Sequence, residues 1–231
     1  MLKNRQNIPC QLLAIIPARS GSKRIPGKNI KPFAGKPLLV HSVECALNTP
    51  SVSRVIVSTD SPEIREIAIK SGADAPFLRP AELASDLTST VDVVLHAIHF
   101  LSNAENLLYE SLVVLAPTSP LRTVGDVEAA FQLFQSSAAD SLVSLAQTPI
   151  NSACLTTVAD NAVKPLITDS NFLFRLNGAI YISRTESILK TGKLLGEKTI
   201  PYFMPDLLSV DIDTPSDFLL AEILMKQNSM I

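Results

Sequence analysis

The chain has 231 residues, of which 46% are hydrophobic and 18% charged, with no Trp and a formal net charge of −2. That profile describes a globular domain with a substantial core and excludes a disordered chain. The mildly acidic balance disfavours general nucleic-acid binding, and no apolar run approaches the roughly 20 residues that span a bilayer.

Short runs rich in Val and Ile alternate with helical patterns, which predicts an α/β fold: a doubly wound, mostly parallel sheet with crossover helices. In chain order, "LLAIIPA" (12–18) is the first strand and "LLVHSVECALN" (38–48) a helix opened by Pro37. "RVIVSTD" (54–60) is a strand, followed by a helix with Ser61 as cap, Pro62 at its first position and Gly72 at its stop. "VDVVLHAIHFL" reads as a helix, "SLVVLAP" (111–117) as a buried strand, "VGDVEAAFQLFQ" as a helix and "DSLVSLA" (140–146) as a strand. Residues 150–175 break the rhythm. "LTTVADNAVKPLI" suggests two extended pieces joined at Asp160 and Asn161, a hairpin-like insertion. "LNGAIYIS" (176–183) returns to the sheet, "LLSVDID" (207–213) reads as a late strand, and "TPSDFLLAEILMKQ" is the closing helix.

Two constellations carry chemistry. The eighteen residues from Arg19 to Lys36 hold six cations (Arg19, Lys23, Arg24, Lys28, Lys31 and Lys36) and no Asp or Glu. Such a run is often only a solvated face. Its position after the first buried strand, with Gly21, Gly27 and Gly35 freeing the backbone, points instead to an anion cradle of the kind phosphates use. It is not a Walker A loop, because Gly27-Lys28 precedes Asn29 and Gly35-Lys36 precedes Pro37 rather than Ser or Thr, nor a dinucleotide fingerprint, because GxGxxG is missing. The second constellation is "SVDIDTPSD". In a strand Asp211 and Asp213 would share a face, a pair of carboxylates that Mg²⁺ would relieve. Alternatively Asp213 or Thr214 caps the last helix, with Pro215 at its first position and Asp217 in its first turn.

Other polar features are weaker. His41, His96 and His99 lack a metal spacing, and Cys10, Cys45 and Cys154 form no CxxC pair, so neither zinc nor a disulfide framework is indicated. The N-terminus lacks the pattern of a signal peptide, and a cytoplasmic location is expected.

Taken together, "IIPARSGSKRIPGKNI", "VSTD", "LRPAELASD", "APTSPLR", "RLNGAIYI" and "SVDIDT", in that order, resemble the acylneuraminate cytidylyltransferases, the CMP-sialic acid synthetase family. The resemblance implies one nucleotidyltransferase domain over residues 1–231. Residues 150–172 would be an inserted arm that pairs with a second subunit in a homodimer. It also implies CTP-dependent, Mg²⁺-assisted transfer of CMP to a sialic-acid-like sugar acid, with no nucleic-acid or membrane partner. By resemblance Ala18, Arg19, Ser22, Lys23, Lys28, Asn29, Arg79, Ser89, Thr90 and Pro117 would bind the nucleotide. Thr118, Ser119, Arg175, Asn177 and Tyr181 would face the sugar, and Asp211 and Asp213 would hold the metal. Arg19, Lys28 and Asp211 would be catalytic, while Arg24, Lys31 and Lys36 would be solvated charge. Ala116 and the "TDSNFLF" before Arg175 depart from the pattern of many sialic acid members. The sugar is therefore open among neuraminic, legionaminic and pseudaminic derivatives. Activation of 3-deoxy-manno-octulosonate and a non-catalytic nucleotide binder are the alternatives.

Overall fold

The computed structural model describes residues 6–148, 156–159, 162–165 and 173–228. Strand β1 (Gln6–Pro17) sets the architecture. From Leu12 to Ile16 its side chains are essentially excluded from solvent. Leu12, Ala14 and Ile16 join one apolar cluster, and Leu13 and Ile15 another. A strand that is apolar on both sides must lie inside a sheet covered on both faces.

The remaining elements follow in chain order. A short hairpin, β2 (Pro32–Phe33) and β3 (Lys36–Pro37), precedes helix α1 (Leu38–Leu47), then β4 (Val52–Ser58), α2 (Pro62–Lys70), α3 (Thr90–Ala104), β5 (Leu107–Val114) and α4 (Val124–Gln135). Next come β6 (Ser141–Gln147), β7 (Thr156–Ala159), β8 (Ala162–Pro165), β9 (Phe174–Arg184), α5 (Thr185–Thr191), β10 (Thr199–Phe203) and α6 (Pro215–Asn228). The main sheet runs β10-β6-β9-β5-β1-β4. Its parallel pairs are β1 with β4 and β5, and β10 with β6; β9 runs antiparallel to both β5 and β6. Helices α1, α2 and α4 supply the first cluster, while α3 and α5 supply the second. The doubly wound, mostly parallel sheet expected from the sequence is therefore present.

Local chemistry explains several boundaries. Ser61 accepts a hydrogen bond from the Ile64 amide at the start of α2, Pro62 takes the first helical position, and Gly72 follows the helix at φ +93°. At α6, Thr214 and Asp217 make reciprocal bonds, the Asp217 amide to the Thr214 hydroxyl and the Thr214 amide to the Asp217 carboxylate. Asp217 is thus the cap partner anticipated for it.

The sequence reading needs correction at 207–213. Asp206–Leu208 is a single 3-10 turn, and residues 209–213 join no ladder. The Ile212 amide instead donates to the Thr118 carbonyl, 2.8 Å away, in the turn after β5. The late strand is β10, hidden in the sequence by Pro201, which an edge strand tolerates because one side of its backbone is unpaired. The excursion before β9 does contain an antiparallel pair, β7 with β8, separate from the main sheet; Asp160 and Asn161, where the sequence reading joins the two pieces, lie outside the described residues.

A third cluster lies beyond the carboxyl end of β1. Ile25, Phe33 and Leu38 from the basic loop and α1 pack on Leu121, Ile212, Phe218 and Ala221. Phe33 is fully buried, its ring edge-on to Phe218 at 5.3 Å and to His41 at 5.1 Å. Phe33→Ala should lower stability by about 3–5 kcal/mol in urea unfolding. Because this ring joins α6 to the loop, amide exchange should accelerate more in α6 than in α3.

Candidate active site

Neighbouring strands β1 and β5 send their outgoing connections in opposite directions across the sheet, to β4 and toward β6. A crevice opens at the carboxyl ends of such strands, where open α/β sheets bind ligands. Here the cleft measures about 290 Å³. Arg19, Ser22, Lys28 and Asn29 from the loop after β1 line one wall. Arg79 and the segment through Ser89 and Thr90 line another, and Ala116, Pro117 and Thr118 the third.

The basic loop is held in place by neutral and charged contacts at both ends. The Ala18 amide donates to the Ser58 carbonyl at 2.9 Å, and the Ser20 amide and hydroxyl both donate to Asp60, at 2.9 and 2.5 Å. Burial pushes the Asp60 carboxyl up, but the Ser20 bonds, its own backbone amide and the Arg79 charge together hold the group below its ordinary range. The Asn29 side chain donates to the Arg19 carbonyl at 2.8 Å, closing the loop on itself. Gly27 makes the turn in between at φ +63°.

At its far side the loop meets the C-terminal carboxylates. Lys28 Nζ donates to the Ile212 carbonyl at 2.6 Å and to Asp213 Oδ1 at 3.4 Å, with only 12% of its side chain exposed. Arg24 donates to the other Asp213 oxygen at 3.2 Å. Asp211 points elsewhere. Its carboxyl accepts from the Thr118 hydroxyl and lies so close to Gly178 that a Cβ there would sit 3.3 Å from Oδ2. Glycine at 178 is favoured by φ +73°, which strains any other residue, and by the tight approach of the Asp211 carboxylate. Burial raises the Asp211 carboxyl above its ordinary range, and Asp213 adds repulsion; Thr118 and Lys28 oppose the rise only in part. Tyr181, on β9, has its phenol raised by burial and, to a lesser extent, by the charge of Asp211.

Arg79 is 5% exposed, and burial draws its guanidinium down to about 10, with Asp60 opposing and Arg19 reinforcing the shift. It stays cationic at neutral pH. Its side chain bonds the Ser58 hydroxyl and carbonyl and the Leu83 carbonyl. Ser89 caps α3 through a reciprocal pair with Asp92, so the amino end of a 15-residue helix faces the cleft.

Several residues take places other than those expected of them. Ala18 is wholly buried, and its side chain belongs to the core rather than to a ligand surface. Asn177 is also fully buried. Its amide group donates to Ser209 Oγ and Met204 Sδ, and its carbonyl accepts from Ser144 Oγ and the Ala179 amide, so no hydrogen-bonding capacity is directed at a sugar. Arg175 donates to the Ser209 carbonyl and Asp206, and Ser119 Oγ to the Asn177 carbonyl. These three fasten the chain leading to Asp211. Lys23 stands outside the cleft lining and pairs with Asp86. The cations expected to be merely solvated all have partners: Arg24 has Asp213, Lys36 has Glu44, and Lys31 lies over the Phe218 ring.

Two structural contributors went unassigned in the sequence, although both lie inside quoted motifs. Asp86, of "LASD", is an ion-pair partner of Arg19 and Lys23. Arg122, of "PTSPLR", is buried without a carboxylate partner among the described residues. It donates to the carbonyls of Ala116 and Ala179, each at 3.0 Å, and to Ser42 Oγ, fixing the turn that carries Pro117 and Thr118. Burial lowers its guanidinium from the ordinary value.

A geometry of this kind, with cations and polar side chains on its walls and the Asp211 carboxylate bonded to Thr118 at its edge, suits a polyphosphate and a reacting hydroxyl held together. Comparison with known proteins agrees. The cytidylyltransferase family model matches residues 13–230. A CMP-N,N'-diacetyllegionaminic acid synthase of Legionella pneumophila is 34% identical over 94% of this chain and 97% of its own. A pseudaminic acid cytidylyltransferase of Campylobacter jejuni is 34% identical over the same shares. An N-acylneuraminate cytidylyltransferase of Streptococcus agalactiae is 33% identical over 90% of this chain, which spans 51% of that relative. In fold alone, a CMP:2-keto-3-deoxy-manno-octonic acid synthetase complexed with CTP superposes with a TM-score of 0.69 at 19% identity, covering 94% of this chain and 99% of the other. No helix among the described residues is long and apolar enough to cross a membrane. With its sequence matched almost end to end and its cleft at the strand crossover, the chain belongs to the cytidylyltransferase family.

Proposed function

We propose that the protein transfers CMP from CTP to the anomeric hydroxyl of a nonulosonic sugar acid and releases pyrophosphate. The observation that carries this reading is the cationic cleft of Arg19, Lys28 and Arg79 together with Asp211, whose carboxylate is bonded by Thr118 of the cleft's third wall. Relatives named for legionaminic, pseudaminic and neuraminic acids support the sugar class. The fold likeness to the octonic acid synthetase says nothing about the sugar, because identity there is only 19%.

Arg19, Lys28 and Arg79 bind the triphosphate, with Ser22, Asn29 and the amino end of α3 completing the cradle. Thr118, bonded to Asp211, and Tyr181, whose phenol feels the Asp211 charge, meet the sugar acid. The hydroxyl oxygen attacks the α-phosphorus in line, a new O–P bond forms, and the bond to the departing pyrophosphate breaks. Asp211 accepts the hydroxyl proton, a role that suits a carboxyl held above its ordinary range. The same donor set fits Mg²⁺, since Asp211 carries no ion pair among the described residues and is repelled by Asp213. Asp211 would be the main ligand, with Asp213, already shared by Arg24 and Lys28, contributing less. When bound, the ion would supply charge neutralisation at the phosphates.

A second copy of the chain is proposed as partner. Phe174 and Leu176 at the start of β9, Phe203 at the end of β10 and Leu207 just after it stand exposed, the two Phe rings 5.0 Å apart. They adjoin the excursion whose ends meet at the Thr148–Leu173 hydrogen bond, and residues 150–172 serve as the pairing arm. The enzyme would work in the cytoplasm, where its nucleotide substrate is available.

Pyrophosphate release should be seen with CTP, Mg²⁺ and at least one member of a panel of nonulosonic acids; folded protein that turns over none of them overturns the proposal. Asp211→Asn should lower turnover by about 10²- to 10⁴-fold, while the Kd for CTP changes far less. Undiminished turnover in that variant would remove Asp211 from the reaction. In sedimentation velocity the parent chain should run as a dimer and Phe203→Asp should shift it toward monomer; a parent that sediments as a monomer rejects the partner.

A further inference from the structure

One carboxylate at the cleft has no part in the reaction just described. Asp86 sits in the segment between the 3-10 turn Ala81–Leu83 and α3, and it lines the cleft opposite the basic loop. Arg19 NH1 reaches its Oδ1 at 2.7 Å and Lys23 Nζ its Oδ2 at 2.5 Å. One carboxylate therefore takes both cations at the mouth, each oxygen meeting one donor. Neighbouring acids are engaged elsewhere, Asp60 by Ser20 and Asp92 by the Ser89 cap.

Carboxylate and phosphate oxygens compete for the same N–H donors, and two anions sharing them without a further cation repel each other. Little else holds Asp86 where it is. The segment's own bonds are local, Ser85 with Thr88 and Thr88 with the Glu82 carbonyl, and Leu87 beside it is 96% exposed.

We propose that Asp86 is an intramolecular counter-ion standing where the nucleotide's phosphates go. It bridges Arg19 and Lys23 in the free protein and leaves them when a polyphosphate arrives. The proposal rests on the cleft being a nucleotide site. It gives the segment 84–88 a job: closed over the cations when the cleft is empty, displaced by substrate, and ready to recapture Arg19 and Lys23 as pyrophosphate departs. Affinity for the nucleotide is then the difference between two anions rather than the full attraction of the cations.

Asp86→Asn should tighten CTP about three- to tenfold by calorimetry, the range expected for releasing two exposed ion pairs. Inorganic pyrophosphate should tighten likewise, and cytidine should be unaffected. Glu82→Gln, the same charge change four residues earlier, should leave CTP binding as it is; equal tightening there would mean that only the general field had changed. The chain has no Trp, so Leu87→Trp gives a single indole on the moving segment. Its emission should change when pyrophosphate is added, and Asp86→Asn should produce that change without ligand. Unchanged or weaker CTP and pyrophosphate binding in folded Asp86→Asn overturns the counter-ion. A parent protein that binds pyrophosphate but not CTP would instead overturn the cytidylyl reading, leaving the pyrophosphate and emission results to judge Asp86 by themselves.

Discussion

The clasp between Lys28 and the Ile212 carbonyl is the contact on which the site depends. It joins positions 184 residues apart, and it is made by an ammonium almost withdrawn from water. A charge-assisted bond in such surroundings is stronger than its surface equivalent, and losing it would leave the ammonium half-solvated. The apolar cluster of Phe33, Phe218 and Ile212 fixes the same two segments from the other side. Polar and apolar contacts thus agree on one arrangement: the basic loop cannot drift from the carboxylates without opening a core and stranding a charge.

Beneath this clasp lies a second tier of polar residues that touch no cleft surface. Asn177 ties β6, β9 and the 204–209 stretch together with its bonding capacity spent on Ser144, Ser209, Met204 and Ala179. Arg122 joins α1, the turn after β5 and β9 through its two terminal nitrogens, while its buried Nε has no hydrogen-bond partner among the described residues. Networks of this sort are rigid when satisfied and expensive when broken. They account for loops, ordinarily the mobile parts of a fold, presenting Thr118 and Asp211 at a constant separation.

Much of this is legible in the sequence where the signal is local. Buried strands announce themselves as Val- and Ile-rich runs, and the start of α2 is written in Ser61 and Pro62, as that of α6 is in Thr214 and Asp217. The cationic loop is recognisable because six like charges gathered after a buried strand, with no carboxylate among them, repel one another until an anion joins them. What cannot be read is tertiary. Pro201 argues against a strand, since nothing in the sequence says which strand will lie at an edge. The 207–213 run looks like a strand because alternation is visible, whereas the Thr118 carbonyl that takes the Ile212 amide lies almost a hundred residues away. Asn177 lies in a motif that points to ligand contact, yet whether a polar side chain faces a ligand or a core is decided by partners that spacing does not reveal. The same holds for Asp86, whose role emerges only when the loop after β1 is folded against it.

The bond from the Thr148 amide to the Leu173 carbonyl, 2.8 Å long, brings the two ends of the excursion side by side. Seen from the sheet, that bond marks where the excursion leaves and returns. Closure of a loop depends only weakly on how many residues it contains once its ends are fixed. The stretch can therefore lengthen, shorten or be exchanged without shifting the register of β6 against β9, so the surface it offers can evolve independently of the chemistry. The scaffold has, in effect, a grafting point built into its sheet.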